Sequence, residues 1–193
     1  MGKTFCKGGQ EMTDFNVLQT GFISFLDGLW WGLRENTGPL SMYEGYRGGF
    51  KQMGKEIAEK ISGKGPEAAA KIAGTIFEAI GLEVAVQVKT IMVKKCPLLD
   101  RIVERGLEFS FHVEDLCWLP MLQGVGEVVG AQPEMITSLR LTYIERAKVD
   151  YKKGKAKKAL DEGQMTEKEY EKEIAKLEQT LNVIPKFGEY VFK

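Results

Sequence analysis

The chain has 193 residues, 44% of them hydrophobic and 28% charged, which is enough to bury the core of one main domain and unlike the composition of a disordered segment. Lysine plus arginine equal aspartate plus glutamate at 27 each, so the excess positive charge typical of a nucleic-acid-binding domain is absent. Three cysteines, an odd number, without an apolar leader at the start argue against a secreted disulfide framework and predict a cytoplasmic protein.

The first helix is predicted after a loose start. Residues 1–12 are polar and glycine-bearing and are predicted to be flexible. Thr13 is a candidate N-cap for a helix that runs to about Arg34. This segment is the most apolar in the chain, but Gln19, Asp27 and several glycines interrupt it. It therefore predicts a core helix and no membrane span.

Two more helices are predicted before residue 81. In the segment 40–61 apolar residues recur at steps of three and four, which is typical of one helix face: they are Tyr43, Tyr46, Phe50, Met53, Ile57 and Ile61. Glycine in a helix costs about 1 kcal/mol relative to alanine, so the three glycines at 45, 48 and 49 predict close approach by another helix or a ligand. A third helix is predicted from Pro66 to the stop at Gly81.

The middle of the chain alternates in a way that predicts strands. Period-two alternation from Leu82 to about Lys95 predicts one strand that delivers Cys96 at its end. Pro97 then begins a short helix that stops at Gly106. Alternation in the segment 107–113 predicts a second strand, with its histidine on the face opposite the phenylalanines.

The last third is predicted to contain a helix, a strand and a helical hairpin. The helix follows Pro120 and ends near Gly130. The segment 138–151 is compatible with a strand or a helix, and a strand is favoured because apolar and polar residues alternate at its start. A lysine-rich run follows, and Thr166 with Glu169 forms a capping-box signature for an amphipathic final helix.

These elements predict an α/β (α+β) fold with an antiparallel sheet backed by several helices. The main domain is assigned to residues 13–150, and residues 151–193 to a C-terminal helical hairpin and tail. The hairpin also offers a docking surface for a protein partner through residues 152–181.

One short span holds the candidate reactive residues, Cys96, His112 and Cys117. Thiolate and imidazole are the ligands that zinc prefers, so one interpretation is a metal site with zinc as the metal and Glu114, Asp115 or water as the fourth ligand. A second is a nucleophilic thiolate on either cysteine, activated by His112 and oriented by one of the same carboxylates. A third is that the cysteines are buried core residues and the histidine faces solvent. The sequence leaves the three open.

Aromatic residues supply a candidate ligand site. An apolar cavity lined by aromatic side chains with polar tips is how most small-molecule sites are built, although aromatic residues at helical spacing also serve as core. The glycines of the second helix favour the cavity. The candidate ligand-binding residues are Trp30, Tyr43, Tyr46, Gly49 and Trp118.

Two motifs carry a resemblance to a known family. Lys95, Cys96 and Pro97 at a strand end, with Cys117 opening a helix, resemble the L-2-amino-thiazoline-4-carboxylic acid hydrolase-like family. The glycine-rich helix of residues 43–61 is similar to one in the related 4-vinyl-reductase (hydrocarbon-binding) domains. The resemblance implies an α/β domain with an antiparallel sheet, a homodimer and an apolar pocket for a small molecule. Some members of the family look as though they use the cysteines for metal binding or chemistry.

Three functions are predicted. The first is a homodimeric domain that binds a small apolar molecule or cofactor, with the Cys/His cluster near the pocket. The second is a cysteine- or metal-dependent hydrolase of a small cyclic carbon–nitrogen substrate. The third is an assembly subunit that docks through the C-terminal hairpin.

Overall fold

The computed structural model describes residues 14–193, with side chains from residue 15. It confirms the α+β fold with an antiparallel sheet. The predicted flexible segment 1–12 and the N-cap Thr13 lie outside the described residues. The helices are α1 Asp14–Asn36, α2 Pro39–Lys60, α3 Gly65–Ile80, α4 Pro97–Glu104, α5 Leu119–Val129, α6 Leu139–Asp161 and α7 Glu167–Val183, with a π-helical turn at Glu114–Trp118. The strands are β1 Glu83–Gln87, β2 Thr90–Lys95, β3 Pro133–Thr137 and β4 Gly188–Phe192.

The sheet has the strand order β1-β2-β4-β3, and every neighbouring pair is antiparallel. The last strand of the chain is therefore an inner strand. Alternate residues of β2 and β4 are buried, including Ile91, Val93, Tyr190 and Phe192. Helix α3 packs against β1, β2 and β4, and α5 packs against β3. These two helices cover one face of the sheet and form the core with it.

Helices α2 and α5 cross at two glycines. A Cβ added at Gly54 would overlap the main-chain carbonyl oxygen of Met121, and one at Gly124 would overlap that of Lys51. Each helix thus supplies a position without a side chain where the backbone of the other helix passes. The compensation predicted for glycine in α2 exists, but at Gly54 and not at the three glycines nearer its start.

Helix α1 is attached to the body by buried polar contacts. The carboxylate of Asp27 is buried and accepts from Arg101 Nε at 2.8 Å, in the last turn of α4, and from Arg105 Nη2 at 3.0 Å, in the residue that follows α4. The hydroxyl of Tyr46 on α2 donates to the carbonyl of Leu26. A buried carboxylate requires such partners, because desolvation disfavours an unpaired charge.

No helix within residues 14–193 is long and apolar enough to cross a membrane.

The first three predicted helices are confirmed. α1, α2 and α3 lie within two residues of the predicted bounds, and α3 ends at Gly81 in the left-handed conformation with φ of 97°. The capping box that starts α7 is present, with Thr166 and Glu169 bonded reciprocally. Apolar spacing, caps and glycine stops are therefore sufficient to predict these four helices from the sequence.

The single strand predicted from Leu82 to Lys95 is wrong. The chain reverses at residues 88 and 89, and Gln87 pairs with Thr90 in a β1-β2 hairpin. Val88 adopts a positive φ of 51° and is exposed. A β-branched residue rarely takes this conformation. The turn also lacks the Asn-Gly pair that usually indicates a tight hairpin in a sequence.

The strand predicted for residues 107–113 is wrong, and the strand favoured over a helix for residues 138–151 is wrong as well. In the segment 107–113 the amides of Ser110 and Phe111 both donate to the carbonyl of Leu107, which makes turns. The segment 138–151 is the first half of α6, and Ser138 caps it by accepting from the amide of Leu141 at 3.1 Å. The sheet instead takes β3 and β4, which were not predicted.

The C-terminal hairpin consists of α6 and α7, which pack against each other. The boundary predicted at residue 150 falls inside α6, and the final segment returns to the sheet as β4. Residues 151–193 therefore include part of the core as well as the hairpin.

The substitution Gly54→Ala tests the α2–α5 crossing. The added methyl has no space against the carbonyl of Met121, so we expect the free energy of unfolding to fall by about 1–3 kcal/mol, as in other overpacked cores. Gly48→Ala on the same helix is the matched control, because its Cβ would meet nothing within 4 Å; it should raise stability by about 0.5–1 kcal/mol. Urea unfolding measures both, and equal effects of the two substitutions would contradict the crossing.

Candidate functional site

Cys96 lies at the end of β2 and caps helix α4. Its buried sulfur accepts from the amide of Leu99 at 3.4 Å. Burial raises the pKa of the Cys96 thiol to about 12, and the amide of Leu99 and the indole of Trp118 offset this rise only in part. The indole Nε1 of Trp118 has no partner with hydrogen-bond geometry among the described residues, so it acts on the sulfur only weakly.

Cys117 lies in the π-helical turn and is fully buried. Burial raises the pKa of its thiol well above the usual value, and the nearby sulfur of Cys96 raises it further. Both cysteines are members of the one hydrophobic core cluster. A raised pKa keeps both thiols protonated at neutral pH, whereas a nucleophilic cysteine needs a lowered pKa.

His112 is directed to the surface. Its side chain is 45% exposed, Nε2 lies 3.1 Å from the carbonyl oxygen of Phe109, and Nδ1 lies 3.7 Å from a carboxylate oxygen of Asp115. Within residues 15–193 no group of three or more His, Cys, Asp or Glu side chains is placed to hold a metal ion. Both cysteines thus belong to the buried core, and His112 does not join them as a third ligand.

Glu114 has a structural role that the sequence did not indicate. Its carboxylate is buried and accepts from the amides of Leu139 at 2.8 Å and Arg140 at 3.1 Å, from the hydroxyl of Ser138, and from the hydroxyl of Tyr190 at 3.1 Å. Three of these donors belong to the N-terminus of α6, where a helix offers unpaired amides and partial positive charge. Glu114 is therefore a cap supplied by a distant segment, and neither a metal ligand nor a partner of His112.

The π-helical turn explains how this segment is placed. The amide of Leu119 donates to the carbonyl of Glu114, five residues back, and Pro120 has no amide hydrogen with which to continue a regular ladder. The wider turn buries Glu114, Cys117 and Trp118 together. Such turns are rare and are often found at functional sites, but here Cys117 and Trp118 pack in the core and Glu114 caps α6.

Most of the predicted aromatic ligand residues form a continuous core. Trp30 stacks on Phe111 with ring centroids 3.9 Å apart, and Trp118 makes edge contacts with Phe50 at 5.5 Å and Phe77 at 5.6 Å. Trp30 and Trp118 are each only 1% exposed. They fill the interior, so no ligand reaches them without displacing the core.

Tyr43 is half-buried beside this core. Its hydroxyl lies 3.4 Å from the carbonyl oxygen of Ser110, and its ring lies 6.0 Å from that of Trp30. Its contacts therefore hold α2 against the turns of residues 107–113.

Tyr46 and Gly49 are the two candidate ligand residues that border an open cavity. The cavity has a volume of about 180 Å³ and lies between α1 and α2. A neighbouring cavity of about 470 Å³ between α1, α2 and α3 shares two of its walls, Phe22 and Met53. We call the two together the apolar groove, and its other walls include Phe15, Leu18, Phe25, Leu29, Gly45 and Ile57.

Comparison with known proteins gives no family assignment. No family model matches the chain, and neither the characterised proteins nor the solved structures contain a match. The function has to be inferred from the geometry alone.

The buried thiols predict a chemical result. Iodoacetamide at neutral pH reacts with the thiolate, so Cys96 and Cys117 should stay unlabelled in the folded protein, because burial both hides them and raises the pKa of each. Peptide mapping by mass spectrometry measures the labelling. The same protein unfolded in denaturant is the control and should be labelled at both positions. Labelling of either cysteine in the folded protein at the rate of a free thiol would favour the hydrolase.

Proposed function

We propose that this protein binds a small apolar molecule in the apolar groove between α1, α2 and α3. The observation that carries the proposal is the pair of glycines at 45 and 49, which border the groove on α2 and have open space where a Cβ would lie. Their four-residue spacing places both on one helix face. Any larger residue at these positions would narrow the groove.

The exposed aromatic and aliphatic side chains of α1 support the same proposal. Phe15, Leu18 and Phe25 are 54%, 72% and 62% exposed, and with Phe22 they form a stripe at alternating steps of three and four. A continuous apolar patch of this kind marks a binding site on many protein surfaces. The larger cavity, about 470 Å³, is within the range of small-molecule sites.

A homodimer is the second candidate, and the α1 stripe favours it. Steps of three and four are the spacing with which one helix packs along another. A second copy seated on α1 would cover the same side chains that a small ligand would cover. The two candidates therefore compete for one surface and can be separated by measuring mass together with ligand binding.

The hydrolase alternative has weaker support. Both cysteine thiols have a raised pKa, and His112 makes its polar contacts on the surface. The docking of a partner on residues 152–181 stays a prediction. Leu177 is the single buried residue of α7.

The substitution Gly49→Leu tests the small-molecule proposal. The leucine side chain would occupy the groove, so we expect the affinity for a neutral apolar probe, 1-aminoanthracene, to fall by at least about tenfold. The control is Gly48→Leu, which makes the same change at a position on α2 outside the groove walls. Fluorescence titration of the full chain measures the probe, and sedimentation at several protein concentrations measures the mass.

Loss of probe binding in Gly49→Leu alone, with unchanged mass, supports the ligand. Equal binding by both variants and the unsubstituted protein would contradict it. A mass that falls from dimer to monomer only in Gly49→Leu would instead assign the groove to a second copy.

A further inference from the structure

A second groove, chemically unlike the first, is bordered by Cys96. It has a volume of about 450 Å³ and runs between the end of β2, α4, the start of α6 and the segment before β4. Four basic side chains line it, namely Lys94, Lys95, Arg146 and Lys186. We call it the cationic groove.

The rest of its wall is largely apolar. Leu99 and Val103 contribute from α4, and Leu139 and Tyr143 from the first turns of α6. Leu99 is buried, whereas the tyrosine is 38% exposed. A molecule in this groove would thus meet hydrocarbon on two sides and positive charge at the rim.

The charges of the groove do not cancel. Its acidic wall residues are Asp100 and Glu104, two against four basic ones. Lys95 lies 3.9 Å from Asp100, and Lys94 lies 3.9 Å from Glu83, which is outside the groove. Two of the four cations, Arg146 and Lys186, have no carboxylate within 4.0 Å among the described residues.

Arg146 is held in place by neutral groups. Its Nε and Nη2 lie 3.5 and 3.4 Å from the carbonyl oxygens of Pro185 and Ile184, the two residues before Lys186. The remaining N–H groups of the guanidinium can bind an anion in a bidentate manner. These contacts place Arg146 of α6 and Lys186 at the same rim of the groove.

From these observations we propose that the cationic groove binds an amphipathic anion, a short hydrocarbon chain or ring that carries a carboxylate or phosphate. The apolar portion would lie on Leu99, Val103, Leu139 and Tyr143, and the head group on Arg146 and Lys186. The apolar groove lacks such a cationic rim, so the two grooves would select different ligands. The inference does not depend on the proposed function.

Octanoate and monooctyl phosphate are suitable anionic probes, with octan-1-ol as the uncharged probe of the same chain length. We expect both anions to bind the full chain more tightly than octan-1-ol and to shift the amide resonances around Leu99 and Leu139. The double substitution Arg146→Gln with Lys186→Gln should lower the affinity for the anions by at least about tenfold. Lys186→Gln alone changes an exposed side chain and should also lower the affinity for the anions. This single variant keeps the test valid if the double variant does not fold.

The matched control is Lys157→Gln with Lys158→Gln, which removes two exposed charges from α6 outside the groove walls and should leave anion binding within about twofold. Gly49→Leu should leave it unchanged as well, which separates this site from the apolar groove. A preference for either anion over the alcohol supports the proposal and identifies the head group. No anion binding, equal binding of octan-1-ol, or an equal loss in the control would overturn it.

Discussion

The buried carboxylate of Glu114 joins three segments on which the rest of the structure depends. Glu114 accepts from Ser138 and from the amides of Leu139 and Arg140, and also from Tyr190 in the inner strand β4. The first turn of α6 offers this carboxylate two unpaired amides and the partial positive charge of a helix N-terminus. The π-helical turn, the start of α6 and the sheet are fixed together at this point.

The surroundings of this carboxylate decide what the cysteine-bearing stretch can do. The π-helical turn that buries Glu114 also buries Cys117 and Trp118, and the thiol of Cys96 caps α4 beside them. Desolvation keeps both thiols protonated, so the stretch has the properties of a packing junction. Binding chemistry is then expected at the surfaces it supports: Cys96 borders the cationic groove, and the apolar groove lies across the aromatic core.

The predictable parts of the fold are those whose signals are local. Periodic apolar residues indicate α2 and α3, an apolar stretch indicates α1, and the capping box of Thr166 and Glu169 indicates α7. The start of α6 was mistaken for a strand because its apolar residues alternate, and its cap depends on Glu114, which is 24 residues away in sequence from Ser138. A turn that places Val88 at positive φ also has no usual sequence signal. The glycines at 45 and 49 indicated close approach, but only the structure shows that their space is open.

The most direct test of this account is the stability of Glu114→Gln. The amide keeps the size of the side chain but places N–H groups against donors and removes the charge that faces α6, so the free energy of unfolding should fall by about 1.5–3 kcal/mol. Asp115→Asn is the matched control, because its side chain is exposed and near His112; it should change stability by less than about 0.5 kcal/mol. Urea unfolding measures both. Equal stability of Glu114→Gln and the unsubstituted protein would contradict the account.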